Sequence, residues 1–165
     1  LLRDIGGYLD RLENEYNIIR SIKPVLSKPG GRLQKYFIND NFLSFWFRFI
    51  YKYHSAVEIG NFSYIRQIVE RDFDTYSGIF LEKYFREKLA LDGIYSAIGN
   101  YWERGNRNEL DIVAIDDFHN KVLIAEVKMN KDRFRPEILK ISAKNLVNKL
   151  SGYEIEYKSF SLEDI

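Results

Sequence analysis

The chain has 165 residues, of which 45% are hydrophobic and 16% aromatic, enough for a packed core and too apolar for a disordered or low-complexity chain. It has no cysteine, which excludes disulfide scaffolds and thiolate metal sites. The 25 Lys and Arg nearly balance the 24 Asp and Glu, so overall charge does not mark a nucleic-acid binder. Distribution says more: residues 1–60 carry 9 bases and 6 acids, and residues 128–149 hold seven bases against Asp132 and Glu137. No run approaches ~18 consecutive apolar residues. The most apolar stretch, Phe42 to Tyr53, is interrupted by Arg48 and Lys52. No membrane span is therefore expected, no secretory signal is visible, and a cytoplasmic location is expected.

In chain order, Ile5, Tyr8, Leu9 and Leu12 recur at helical spacing, predicting an amphipathic helix over residues 1–16. A short strand follows at Asn17 to Arg20, another begins at Val25 and Leu26, Ser27 to Arg32 is a turn cluster, and Leu33 to Ile38 returns as a strand. A helix followed by a small basic hairpin is the second half of a winged helix. Lys28, Arg32 and Lys35 would line its wing and contact nucleic acid. The opening helices of that motif are missing and the chain starts at Leu1, which reads as a fragment, with apolar surface of residues 1–38 left exposed or covered by another copy. Asn41 or Asp40 would cap a helix from Phe42 to about Ala56, apolar nearly all round and so expected to be buried on most sides. Phe62 to Phe73 marks a further helix and Ile79 to Leu89 the next.

After Gly93 the period changes. Strands are expected at Ile94 to Glu103, Glu109 to Asp116 and Lys121 to Met129, then a helix from Pro136 to about Leu150, then a strand from Tyr153 to Leu162. The expected organisation is a partial winged helix over 1–38, an aromatic-rich helical connector over 39–76, and a domain over 77–165. The fold class is α+β, with helices on both sides of a sheet.

Chemistry concentrates in Asp111 and in Glu126-Val127-Lys128, on strands apolar on both faces. Charges there are costly unless paired or metal-bound. Glu126 and Lys128, two apart, share a face. A four-residue loop at Asp117 to Asn120 sets Asp111 opposite Glu126; a two-residue loop at His119-Asn120 sets it opposite Lys128. Either even loop keeps all three on one face, and an odd one would not. Two carboxylates so placed suit a hard divalent ion, Mg²⁺ or Mn²⁺, which lowers the pKa of a bound water and neutralises phosphoryl charge. Lys128 would position the water or stabilise the transition state. Glu156-Tyr157-Lys158 repeats the spacing with no upstream partner and reads as a solvated edge.

Asp111, a gap of fourteen residues, then Glu126-Val127-Lys128, within helix, three strands, helix and strand, resembles the PD-(D/E)XK restriction-endonuclease-like fold over residues 77–165. The resemblance implies a Mg²⁺- or Mn²⁺-dependent nuclease acting on DNA, with Asp111 and Glu126 as metal ligands, Lys128 as a catalytic residue, and a glutamate from the first helix, matched by Glu82 rather than Glu87. Leu110 stands where that family has its proline. Tyr36 to Phe49, with Asp40-Asn41-Phe42-Leu43-Ser44-Phe45-Trp46-Phe47-Arg48 at its centre, resembles the C-terminal region of archaeal-type AAA/STAND-like ATPases, in which a P-loop module precedes a winged helix and a domain of unknown function with the nuclease-like fold follows. That resemblance implies an N-terminal ATPase module as partner, and a non-catalytic DNA- or protein-binding regulatory module as the alternative function. No Gly-x₄-Gly-Lys-Ser/Thr is present, so no P-loop ATP site is expected in these residues.

Further candidates are Lys131, Arg133, Lys140 and Lys144, which would contact phosphates or solvate a helix face, and His54 with Glu58 at helical spacing, read as a solvated pair. His119 reads as a loop residue. Phe42, Phe45, Trp46, Phe49 and Tyr53 read as core rather than as base-stacking platforms. A homo-oligomer is a further expectation.

Overall fold

The computed structural model describes residues 5–165. The first four residues of the expected opening helix lie outside that span. The chain divides into two units, each with its own contacts. One runs to Ile22 and resumes over Gln34–Phe73; the other joins Lys23–Leu33 to Asp74–Ile165.

In the first unit, α1 (Ile5–Asp10) continues as a wider π-type turn to Glu15. The Glu13 carboxylate accepts both the backbone N–H and the hydroxyl of Ser21 at 2.7 Å, tying this turn to strand β1 (Ile19–Ile22). β1 pairs antiparallel with β2 (Lys35–Ile38), from Ile19 opposite Ile38 to Ile22 opposite Lys35. The hairpin therefore closes through a long segment, not between Val25-Leu26 and Leu33. Pro24, which has no N–H to give a ladder, precedes Val25 and Leu26, and Leu26 takes a left-handed φ of 62°.

Asp40 is the N-cap of α2 (Asn41–Phe45), its carboxylate accepting the Leu43 N–H at 2.7 Å. The helical path continues through π-type and 3₁₀ turns into α3 (His54–Glu58). The expectation that this stretch is buried on most sides is corrected. Phe49 is fully buried, Phe45 and Trp46 are half-buried, and Phe42, Phe47 and Tyr51 are exposed. Shifts among helical types rotate successive rings off one stripe.

The two helices expected over 62–73 and 79–89 are one, α4 (Phe62–Leu91). Asp74 to Gly78 contains no proline, and the lone Gly78 does not interrupt the hydrogen-bond ladder. Ile65 and Ile68 are buried near its start, and Leu81 and Phe85 near its end.

The second unit holds a four-stranded mixed sheet in the order β3 (Ala97–Glu103), β4 (Arg107–Asp116), β5 (Lys121–Val127), β6 (Glu154–Phe160). The first three strands are antiparallel; β6 is parallel to β5 and is reached through α5 (Pro136–Lys149). Leu139, Ala143 and Leu146 of α5 pack on Leu110, Val113, Ile115 and Ile124. On the other core cluster, Leu81 and Phe85 of α4 meet Ile112, Ala125 and Val127. Phe85 also stacks on Phe160 with ring centroids 4.6 Å apart. Helices thus cover both faces, and β4 and β5 read as near-continuous apolar runs for that reason. The mixed α+β architecture agrees with the expected element order. No helix among the described residues is long and apolar enough to cross a membrane.

Candidate functional site

β4 and β5 pair with Asp116 opposite Lys121 and Ile112 opposite Ala125, so the connecting loop is the four-residue one, Asp117 to Asn120. His119 lies in it, with Nδ1 2.6 Å from Asp116 Oδ2. The other edge of β4 is irregular. Gly99 faces Val113 but Tyr101 faces Leu110, so β4 carries one residue more than β3 between these pairs. Leu110 and Ile112, two apart, consequently fall in different core clusters. Asp111 lies inside this bulge, a device that re-aims a side chain and frees backbone groups from the ladder.

The freed groups are used. The Asp111 carbonyl accepts Asn100 Nδ2 at 2.9 Å and Arg86 Nη1 at 3.1 Å. The same two donors reach Glu82 Oε2, at 3.2 and 3.3 Å. Glu82 and Arg86 stand one turn apart on α4. On the far side, Asp111 Oδ2 accepts the Val127 N–H at 2.8 Å. Glu126 Oε1 and Lys128 Nζ are 2.6 Å apart, with both side chains partly buried.

These charges act on one another. Burial, and after it the Asp111 charge, pushes Glu82 up to about 7. Asp111 is raised chiefly by burial; the Val127 N–H and Lys128 pull it down, and Glu126 pushes it up. Glu82 thus feels Asp111, and Asp111 feels Glu126 and Lys128, with Arg86 and Asn100 as positioning donors. Arg86 was readable as the i+4 partner of Glu82, and Asn100 as a polar residue on an apolar strand. Neither signal says what the donor meets.

Residues 46–145 match the DUF234 family, archaeal and bacterial proteins of unknown function. The chain belongs to this family. An uncharacterized protein of Methanocaldococcus jannaschii is 32% identical over 164 residues, which cover 93% of this chain and 36% of that protein. The chain thus spans about a third of the length of that relative. No solved structure matches it. The DUF234 span contains Glu82, Arg86, Asn100, Asp111, Glu126 and Lys128.

The fit of this DUF234 cluster to a divalent ion rests on donor chemistry. All three acids offer hard oxygens, and burial raises two of them, the condition a cation relieves. Among the described residues no donor reaches Asp111 Oδ1. No group of three or more acidic or histidine side chains among the described residues is gathered at ligating distance.

The basic residues are spread over several elements. Lys35 lies on β2, in a different unit from Lys28 and Arg32, which sit in the segment Lys23–Leu33. Lys131 and Arg133 lie in a 3₁₀ turn, where Lys131 Nζ is 3.8 Å from Asp164 Oδ1. Lys140 and Lys144 are exposed one turn apart on α5, with Lys140 over the Tyr157 ring. Glu156 and Lys158 are exposed on edge strand β6. His54 and Glu58 are exposed, and His54 Nδ1 is 3.1 Å from the Tyr51 carbonyl oxygen.

Proposed function

We propose that the second unit is a PD-(D/E)XK restriction-endonuclease-like domain that hydrolyses DNA phosphodiesters. The observation that carries the reading is the bulged Asp111, whose charge bears on Glu82 of α4 and which itself feels Glu126 and Lys128 at the end of β5. Asp111 and Glu126 would hold Mg²⁺ or Mn²⁺, which when bound polarises a phosphoryl oxygen and acidifies water. Glu82, whose carboxyl is pushed up to about 7, would hold or give up a proton beside Asp111. Lys128 would release Glu126 and turn its ammonium toward a phosphate oxygen. Arg86 and Asn100 fix Glu82 and the Asp111 backbone, and the apolar side chains on either side keep bulk water from the strands. Lys131, Arg133, Lys140 and Lys144 would contact backbone phosphates.

We also propose, from the resemblance carried by Tyr36 to Phe49, that an N-terminal ATPase module is the partner of this region. Residues 1–38, with the β1–β2 hairpin, would then be a partial winged helix beside that module. The Glu126–Lys128 ion pair also favours a second reading, a non-catalytic DNA- or protein-binding regulatory module whose lysine satisfies the carboxylate in place of a metal. The test is cleavage of single- and double-stranded DNA with Mg²⁺ or Mn²⁺ by the wild type, Glu126→Ala and Lys128→Ala. Hydrolysis lost in both variants supports the first reading; equal background from all three supports the second.

A further inference from the structure

A pocket of about 390 Å³ opens where the segment Lys23–Leu33 lies along the free edge of β3. The Val25 N–H donates to the Asn100 carbonyl at 2.9 Å, fixing the segment there. Four cations line the pocket from three places in the chain: Lys28 and Arg32 from the segment, Arg104 from the turn after β3, and Lys149 from the end of α5. Lys28, Arg32 and Arg104 have no ion-pair partner among the described residues. Glu103, the one acid of the lining, already accepts Tyr101 Oη at 2.9 Å and the side-chain amides of Asn108 and Asn145 at 3.0 Å each. Apolar side chains line it too: Leu26 and Leu33, both exposed, and the buried Trp102.

Leu26 is the second observation. The Ser27 N–H donates to the Pro24 carbonyl at 3.0 Å, closing a turn whose third residue is Leu26 at φ 62°. Glycine is the residue for that backbone, and a leucine there is strained. Its side chain is 52% exposed, so core packing does not explain it. It lines the pocket, and strained backbone recurs at ligand-binding positions.

We propose that this pocket binds one nucleotide unit, its phosphate held by Lys28, Arg32 and Arg104 and its base lying between Leu26, Leu33 and Trp102. Inorganic phosphate would need no apolar walls, and an acyl chain would need no cluster of cations. The volume falls within the range of small-ligand pockets, about 300–1,000 Å³. The unit is supplied either as a free nucleotide or within a single strand. The inference does not rest on the hydrolytic reading, because none of the clustered carboxylates lines the pocket.

The test is fluorescence anisotropy of a labelled oligothymidylate with the full chain in EDTA, where hydrolysis is silent. The triple variant Lys28→Gln/Arg32→Gln/Arg104→Gln is expected to bind roughly tenfold or more weakly and with a shallower salt dependence, whereas Lys121→Gln, at an exposed lysine outside the pocket, binds as the wild type. Leu26→Gly is expected to melt at or above the wild-type temperature and still bind several-fold more weakly. Competition by thymidine monophosphate identifies a free nucleotide as the source; competition by unlabelled strand alone identifies a unit within a strand. Wild-type affinity in the triple variant overturns the proposal. So does displacement by inorganic phosphate, a phosphopeptide or anionic vesicles as readily as by strand, or a Leu26→Gly protein that melts lower and binds unchanged.

Discussion

The Asp111 carboxylate accepts the backbone N–H of Val127 through Oδ2 at 2.8 Å. A side chain here does what a ladder carbonyl does further along β4 and β5, and it joins the bulged end of one strand to the last residue of the other. Val127 is buried, so its N–H has no water to turn to. Asp111→Ala is therefore expected to cost about 1–3 kcal/mol, the penalty of an orphaned buried donor. Asp111→Asn keeps an acceptor oxygen and loses the charge that raises Glu82, so it should be the more stable of the two. Urea unfolding of both variants checks this; equal stability of the two would show that the hydrogen bond contributes nothing.

Glu82 predicts a pH dependence in the metal-free protein. Its folded pKa of about 7 lies above its ordinary 4.5, so the folded state holds the proton longer than the unfolded chain does. Stability from this group is greatest below the unfolded value and falls as pH rises from 4.5 through 7. The loss at pH 8 is at most about 3.5 kcal/mol, at roughly 1.4 kcal/mol per unit. Glu82→Gln should be more stable than wild type at pH 8 in EDTA, with a flatter profile between pH 5 and 7. Parallel wild-type and variant profiles in thermal melts would contradict the assignment.

Gly99 leaves room for Val25. A Cβ at position 99 would stand 2.8 Å from Val25 Cγ2, closer than any ordinary contact. Gly99→Ala is expected to destabilise by about 1–3 kcal/mol, as overpacking does. Adding Val25→Ala should recover part of that loss, a coupling that a double-mutant cycle measures. Additive effects would show that the segment Lys23–Leu33 does not bear on β3 at this point.

The aromatic stretch should split by burial. Phe49→Ala should cost about 3–5 kcal/mol, because its ring is fully buried. Phe42→Ala, at a ring 70% exposed, should stay within about 0.5 kcal/mol. Equilibrium unfolding of the two variants decides it, and similar losses would mean Phe42 is covered in solution.

What the sequence made legible was local. The period change after Gly93, the cap residues at Asp40 and the turn residues at Asp117 to Asn120 act over a few positions, and the order of elements and the even loop follow from them. The bulge at Asp111 was not legible, because it depends on the pairing of β4 with β3, whereas loop parity concerns only β5. The same limit applies to Asn100 and Arg86, whose meaning lies in a carbonyl that the bulge frees. Val25 and Leu26 looked like a strand because two apolar residues precede a turn cluster, yet the Pro24 turn sends them along an edge instead. The continuity of α4 was hidden by polar residues around Gly78 that a long exposed helix tolerates.

The central claim is that Asp111 and Glu126 hold one divalent ion. Isothermal titration of Mn²⁺ into the protein tests it most directly, with Asp111→Asn, Glu126→Gln and Lys128→Ala alongside. One saturable site is expected in the wild type, lost in both carboxylate variants and kept or tightened in Lys128→Ala, where the ammonium that now holds Glu126 at 2.6 Å is gone. No saturable binding to the wild type or to Lys128→Ala, or binding that survives loss of both carboxylates, would contradict it.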